Sequence, residues 1–231
     1  MSGTHFSRKG SGINYMKDIK AMNHFIDDLV MRYPVLSESI KDIKDGAELL
    51  IKTIETGGKF LICGNGGSSA DADHIVGELM KGFINLRPLS QKQKDSLEKT
   101  GGETGRHIGT LLQQGIPAIS LSAHTALNTA FINDVDPSLI FAQQVMGLGK
   151  TGDILWGIST SGNSKNIVAA AITAKAAGLK TFAMTGEKES SLSELCDVCI
   201  KVKGLETYKI QELHLPVYHT LCIILEDYFF G

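Results

Sequence analysis

Five short, largely apolar runs, Phe60 to Cys63, Ile116 to Leu121, Ile154 to Ile158, Thr181 to Thr185 and Val198 to Val202, are separated by segments with helix-like spacing. A strand that is apolar along its whole length has no side left for solvent. Such runs require a sheet covered on both faces, which in turn implies parallel strands joined by crossover helices. The chain therefore reads as α/β, with sites expected at the carboxyl ends of the strands. Its 231 residues suffice for one such domain with a large core and fall short of two full enzyme domains.

Before the first run, Ile19, Met22, Ile26, Leu29 and Val30 recur every three to four positions, and Leu36, Ile40, Ile43, Ala47, Leu50 and Ile54 do the same. These predict N-terminal helices within 16–57, the second over 35–56, begun by Pro34 and stopped by Gly57 and Gly58. Their apolar stripe is longer than one small domain needs, which points to self-association as a homotetramer. Residues 1–15 are polar and rich in Gly and Ser and read as a flexible leader, with Met16 as an internal start. The remainder, 16–231, reads as a single domain. Ile210, Leu213, Val217, Leu221, Ile224 and Tyr228 predict a terminal helix within 206–231, although Pro216 removes a backbone donor from its middle, at about 3 kcal/mol in a regular helix. Residues 88–115 break the rhythm: the stretch is polar and charged, with Gly101 and Gly102 at its centre, and suggests a mobile cover over the strand ends.

A net charge of −2 gives no basic face for nucleic acid, and 42% hydrophobic with 21% charged residues is globular composition. No run approaches a membrane span and the N-terminus has no signal-peptide core, so a cytoplasmic protein is expected. Cys63, Cys196, Cys199 and Cys222 sit among apolar residues and read as reduced core thiols rather than as a metal or redox pair, despite the C-x-x-C at 196–199.

Two loops carry chemistry. Gly64-Asn65-Gly66-Gly67-Ser68-Ser69 follows a predicted strand and opens a helix, so its backbone N–H groups and the helix dipole favour an anion. A dinucleotide fingerprint needs a third glycine where Ser69 stands, and lacks its acidic residue downstream; a tight turn without ligand is the plainer alternative. Ser159-Thr160-Ser161-Gly162-Asn163-Ser164 has the same placement and adds hydroxyl donors suited to a phosphate dianion, whereas a simple helix cap would need only one of them. Asn65, Gly66, Ser68, Ser159, Thr160, Ser161 and Ser164, with Gln211 near the chain's end, are the substrate-binding candidates.

Two helices carry the rest. His74 and Glu78, four apart, lie about 40° apart on one helix face, within reach of one metal or one substrate carbon, or of each other as a surface ion pair. Gln211 and His219 lie about 80° apart on the terminal helix, where a satisfied core histidine is the alternative.

The segments CGNGGSSADADHIVGEL, GDILWGISTSGNSKNI and IQELHLPVYH resemble the sugar isomerase (SIS) domain family, and within it the phosphoheptose isomerases, over Met22 to Phe230 apart from the insertion. The resemblance implies a flavodoxin-like, five-stranded parallel sheet between helix layers, a homotetramer, and a sugar phosphate held by Ser68, Ser159, Ser161 and Ser164. It also implies Zn2+ on His74, Glu78, Gln211 and His219, with Glu78 and His219 as the acid/base pair, an imidazole–carboxylate–amide set that suits zinc. The expected function is an aldose/ketose isomerase acting on sedoheptulose 7-phosphate through an enediol. The alternative is a non-catalytic SIS module that binds a sugar phosphate or a replication initiator. The initiator-binding relative lacks the Glu and the second His, and this chain has both. A sugar-sensing regulator would carry a DNA-binding domain, which the sequence does not show.

Overall fold

All five apolar runs form strands. The computed structural model describes residues 12–231, with side chains from residue 21 onward. The order is α1 (Gly12–Arg32), a 3-10 turn (Pro34–Ser39), α2 (Ile40–Glu55), β1 (Phe60–Gly64), α3 (Gly67–Met80), α4 (Gln91–Leu111), β2 (Ala118–Ser120) and α5 (Thr125–Asp134). There follow α6 (Ile140–Leu148), β3 (Ile154–Ile158), α7 (Lys165–Ala176), β4 (Lys180–Gly186), α8 (Ser191–Leu195), β5 (Val198–Val202) and α9 (Thr207–Phe230). The strands form one sheet in the order β2-β1-β3-β4-β5, all parallel, with Phe60 beside Ala118 on one side and Ile154 on the other.

Alternation along β1 explains the double cover. Phe60 and Ile62 join a cluster with Leu50, Ile75 and Leu221 from α2, α3 and α9, while Leu61 and Cys63 join Val145 and Ile167 from α6 and α7. Because β1 is flanked by β2 on one side and β3 on the other, the chain leaves their ends in opposite directions. The loops after β1 and β3 therefore border the crevice where α/β sheets bind ligands.

Several expectations need correction. The predicted second helix is a 3-10 turn followed by α2, because Pro34 and the Ser residues of PVLSES favour tight turns over a regular first turn. The α1 stripe is not left over for a partner: Met22, Ile26 and Leu29 are buried within the chain, where α1 packs on α9. Helix α1 also begins at Gly12, inside the stretch read as a leader, and residues 1–11 lie outside the described residues. Pro216 does not end α9.

The insertion carries its own helices. Residues 91–111 form two helical arms that reverse at Gly102, whose φ of 55° suits only glycine, and the arms press so closely that a Cβ at Gly105 would lie 1.9 Å from the Leu97 carbonyl oxygen. A capping box at Ser90 and Gln93 starts the first arm, and Arg106 pairs with Glu98 across the reversal at 2.6 Å. The hairpin is rooted between the end of α3 and the start of β2, where Pro88 bridges Gln113. A crossover helix returns to the amino edge of the sheet, so this root lies opposite the strand ends that the insertion was expected to cover.

A buried imidazole makes the fold pH-sensitive. His214 is fully buried in α9 with Nε2 3.2 Å from the Thr185 carbonyl oxygen and Nδ1 without a partner. Burial lowers its pKa to about 4, against a smaller opposing effect of that hydrogen bond. The unfolded chain binds a proton near pH 6.5 while the folded chain does not, so stability is lost as pH falls from about 6.5 towards 4. The expected loss is roughly 3 kcal/mol. Denaturant unfolding at pH 7 and pH 4.5 checks it: His214→Gln should flatten the slope, and an unchanged slope would assign it to other groups.

Candidate active site

The two loops meet at the crevice, and neither helix that follows them is capped by a side chain. Gly66 and Ser164 occupy the N-cap positions of α3 and α7 without a side-chain cap hydrogen bond; the Ser68, Ser69 and Ile167 backbone N–H groups donate instead to the Asn65, Gly66 and Ser164 carbonyls, each at 3.0 Å. The cap alternative for the serine loop therefore does not describe Ser164, whose Oγ lies 2.9 Å from Ser159 Oγ. Gly162 makes the turn at φ 66°, where a Cβ would fall 2.0 Å from Ser190 Oγ. Ser161 Oγ accepts from the Asn163 backbone N–H at 3.2 Å, and Asn163 Oδ1 ties the loop to Ser191. Beside it lies a cleft of about 260 Å³ lined by Thr160, Ser161, Asn163, Gly186, Lys188 and Thr207.

The loops are also tied to each other. Asn65 and Asn166 exchange amide hydrogen bonds of 2.9 and 2.8 Å between the end of β1 and the first turn of α7. Ser68 is buried behind this bridge, whereas Asn65 and Ser161 face solvent.

Helices α3 and α9 pack alongside each other. Both leave the carboxyl edge of the sheet, so they run in the same direction. Gln211 accordingly lies against the first residue of α3, its Nε2 2.7 Å from where a Gly67 Cβ would stand. Two turns further on, the His74 and His219 rings meet edge-on at 5.1 Å. His74 Nε2 is 3.2 Å from Glu78 Oε1, and Lys81 Nζ is 3.1 Å from Glu78 Oε2. The structure thus gathers His74, Glu78 and His219 and leaves Gln211 about 12 Å away along α9.

His219 Nε2 is buried without a hydrogen-bond partner, and its ring packs against Phe83 and Tyr218. Burial lowers its pKa, the nearby His74 adds to this, and Glu78 opposes it. Among the described residues no three His, Cys, Asp or Glu side chains already stand at ligand spacing. The donor chemistry nevertheless fits zinc: an orphaned imidazole nitrogen, a second imidazole nitrogen and a carboxylate oxygen occupy one corner between α3 and α9.

Four residues that sequence reasoning missed complete the corner. Tyr218 Oη lies 3.0 Å from His74 Nδ1 and donates to Asp71 Oδ1 at 3.3 Å. Burial raises the Asp71 pKa, with Tyr218 and His74 opposing. Behind them, Glu226 accepts from the backbone N–H groups of Phe83, Ile84 and Asn85 and from Arg87 Nε, while Arg87 also donates to the Leu79 and Glu78 carbonyls. Burial acts to raise the Glu226 pKa, but these donors outweigh it and hold it down. Asp71 lies one turn before His74, and Tyr218 adjoins His219 in sequence. Arg87 and Glu226 left no local signal.

The four cysteines are free. Burial raises the pKa of each, that of Cys196 to about 12, as expected of core thiols.

A double-covered parallel sheet with glycine and serine loops flanking its crevice defines a SIS-domain protein, and the SIS domain family model matches residues 24–101 and 103–186. The phosphoheptose isomerase of Thermodesulfovibrio yellowstonii is 40% identical over 193 residues, covering 84% of this chain and 83% of that one. That of Helicobacter pylori is 38% identical, covering 88% and 97%. Solved phosphoheptose isomerases from Neisseria gonorrhoeae and Francisella tularensis superpose with TM-scores of 0.66 and 0.69 at 28% identity, covering 93% and 90% of this chain and 96% and 98% of theirs. The chain belongs to the phosphoheptose isomerase family.

Proposed function

We propose that the protein interconverts sedoheptulose 7-phosphate and an aldoheptose 7-phosphate through an enediol. The observation that carries this reading is the corner in which His74, Glu78 and the unpartnered His219 nitrogen converge. Moving a proton between adjacent carbons needs a base for the C–H proton and an acid for the neighbouring oxygen. Glu78, held from both sides by His74 and Lys81, takes the first role and His219 the second.

His74, Glu78 and His219 would hold zinc. When bound, the metal supplies Lewis acidity at the sugar oxygens. Gln211 belongs to this set by chemistry but not by position, and in this chain we place it as a substrate contact between the glycine loop and the imidazoles. Asn65, Gly66, Ser68, Ser159, Thr160, Ser161 and Ser164 bind the phosphate end, fixing the non-reacting part of the substrate so that its binding energy orients the reacting carbons. A non-catalytic module has no use for a positioned carboxylate beside two imidazoles.

The proposed assembly is a homotetramer, supported by exposed Met80, Ile84, Leu86, Leu111 and Leu112 around the root of the hairpin. A monomer mass in light scattering at micromolar concentration would exclude it. The proposed location is the cytoplasm, in keeping with four free thiols; cell fractionation checks it.

Incubation of pure protein with sedoheptulose 7-phosphate, with and without added zinc, should yield an aldoheptose phosphate; no product in either condition rejects the activity. Replacing Ser161 and Ser164 together with Ala should weaken binding of both sugar phosphate and inorganic phosphate at least about tenfold. Unchanged calorimetric affinity would remove these hydroxyls from the phosphate site.

A further inference from the structure

The serine loop is hung on the segment that follows β4. The Thr160 carbonyl accepts from the Gly186 N–H at 3.0 Å, and the Gly162 carbonyl accepts from the Leu192 N–H at 3.1 Å. Asn163 adds its side chain to these backbone ties. Its Oδ1 accepts from the backbone N–H and the hydroxyl of Ser191, both at 2.9 Å, and its Nδ2 donates to the Ser161 carbonyl at 3.0 Å. A backbone N–H only donates and a carbonyl only accepts, so the amide fits this place one way round.

The same residue sets the Ser161 hydroxyl. The Asn163 backbone N–H donates to Ser161 Oγ at 3.2 Å, which uses that oxygen as an acceptor. The hydroxyl proton remains to be given elsewhere. Ser161 is exposed and lines the 260 Å³ cleft together with Thr160. Its carbonyl and its hydroxyl are thus both held by Asn163, and Asn163 is held by the first residue of α8.

We propose that Asn163 is a positioning residue: it anchors the serine loop to the start of α8 and keeps the Ser161 hydroxyl proton free for a phosphate oxygen. The inference rests on reading the serine loop as the phosphate site and not on the isomerase chemistry. Asn163 faces solvent, so Asn163→Ala should fold. Ser191→Pro breaks the same tie from the other side without altering the loop. Ser191 is the first residue of α8, where proline is tolerated, and the preceding Ser190 is extended, as proline requires.

The test is calorimetry of each variant with inorganic phosphate, alongside turnover of sedoheptulose 7-phosphate. Each variant should bind phosphate about five- to tenfold more weakly than wild type, with KM raised by the same factor and kcat changed less. Combined, the two changes should cost little more than either alone, because they remove one shared contact. Wild-type phosphate affinity in Asn163→Ala, with or without a lowered unfolding midpoint, would reduce the residue to a structural role and overturn the proposal. Unchanged affinity in Ser191→Pro, or losses that add in full, would overturn the anchoring to α8. A wild-type protein that binds no phosphate removes both the site and its positioning residue. Phosphate binding that depends on Asn163 in a protein with no turnover would support the positioning role and reject the isomerase reading alone.

Discussion

Glu78→Gln will lower turnover about 10²- to 10⁴-fold while leaving phosphate affinity intact. Gln keeps the length and planar shape of the side chain, and its oxygen can still accept from Lys81 or His74, which hold the two carboxylate oxygens. What disappears is basicity. His219→Gln should cost as much in rate, and more in metal, since it removes an imidazole whose Nε2 has no other partner. Exchange of the substrate C–H proton with D₂O, followed by NMR, separates chemistry from binding. Exchange by wild type with none by Glu78→Gln supports the enediol route. Wild-type exchange in the variant would remove Glu78 as the base.

Arg87→Ala will destabilise the fold by about 3–5 kcal/mol, because it leaves the Glu226 carboxylate buried without its counter-charge. The side chains of Arg87 and Glu226 are 0% and 1% exposed and 2.8 Å apart, and the guanidinium also lies over the Phe230 ring at 4.9 Å. For a chain of this size the midpoint should fall on the order of 10 °C. A simple buried ion pair can be replaced by two apolar residues at little cost. Here the double change Arg87→Met with Glu226→Leu should stay destabilised, because Phe83, Ile84 and Asn85 lose the acceptor for their backbone N–H groups. Recovery of wild-type stability in the double variant would show that the pair serves only itself. Activity should fall too, since Arg87 holds the Glu78 carbonyl and thereby the last turn of α3.

The hairpin at 91–111 shows how far local pattern carries. Its capping box and its apolar Ile108 and Leu111 are written in the sequence. Gly101 and Gly102, with many charges, nevertheless suggested a mobile cover. A glycine that reverses one helix into another and a glycine that breaks a loop look alike until Gly105 is seen pressed on Leu97. The edge of the sheet from which it projects followed from neither, because only the direction of α3 relative to the strands fixes that. Pro216 erred the other way: its cost is local, and the packing of a helix whose Ile210, Val217, Leu221 and Leu225 are buried outweighs it.

Taken alone, the sequence determined the five strands and their double cover, since a run with no polar side can rest only between two layers. It also determined the glycine and serine loops that follow β1 and β3, and the angular placement of His74 with Glu78 and of Gln211 with His219, because turn chemistry and helix periodicity are local properties. Only the tertiary structure decided that α3 and α9 lie side by side so that Tyr218 reaches His74, that Gln211 stops at Gly67, that Asn65 pairs with Asn166, and that Glu226 gathers the turn after α3. Each of those contacts joins residues far apart along the chain. Spacing within a helix says which side chains share a face, and only the packing of one element on another says what that face meets.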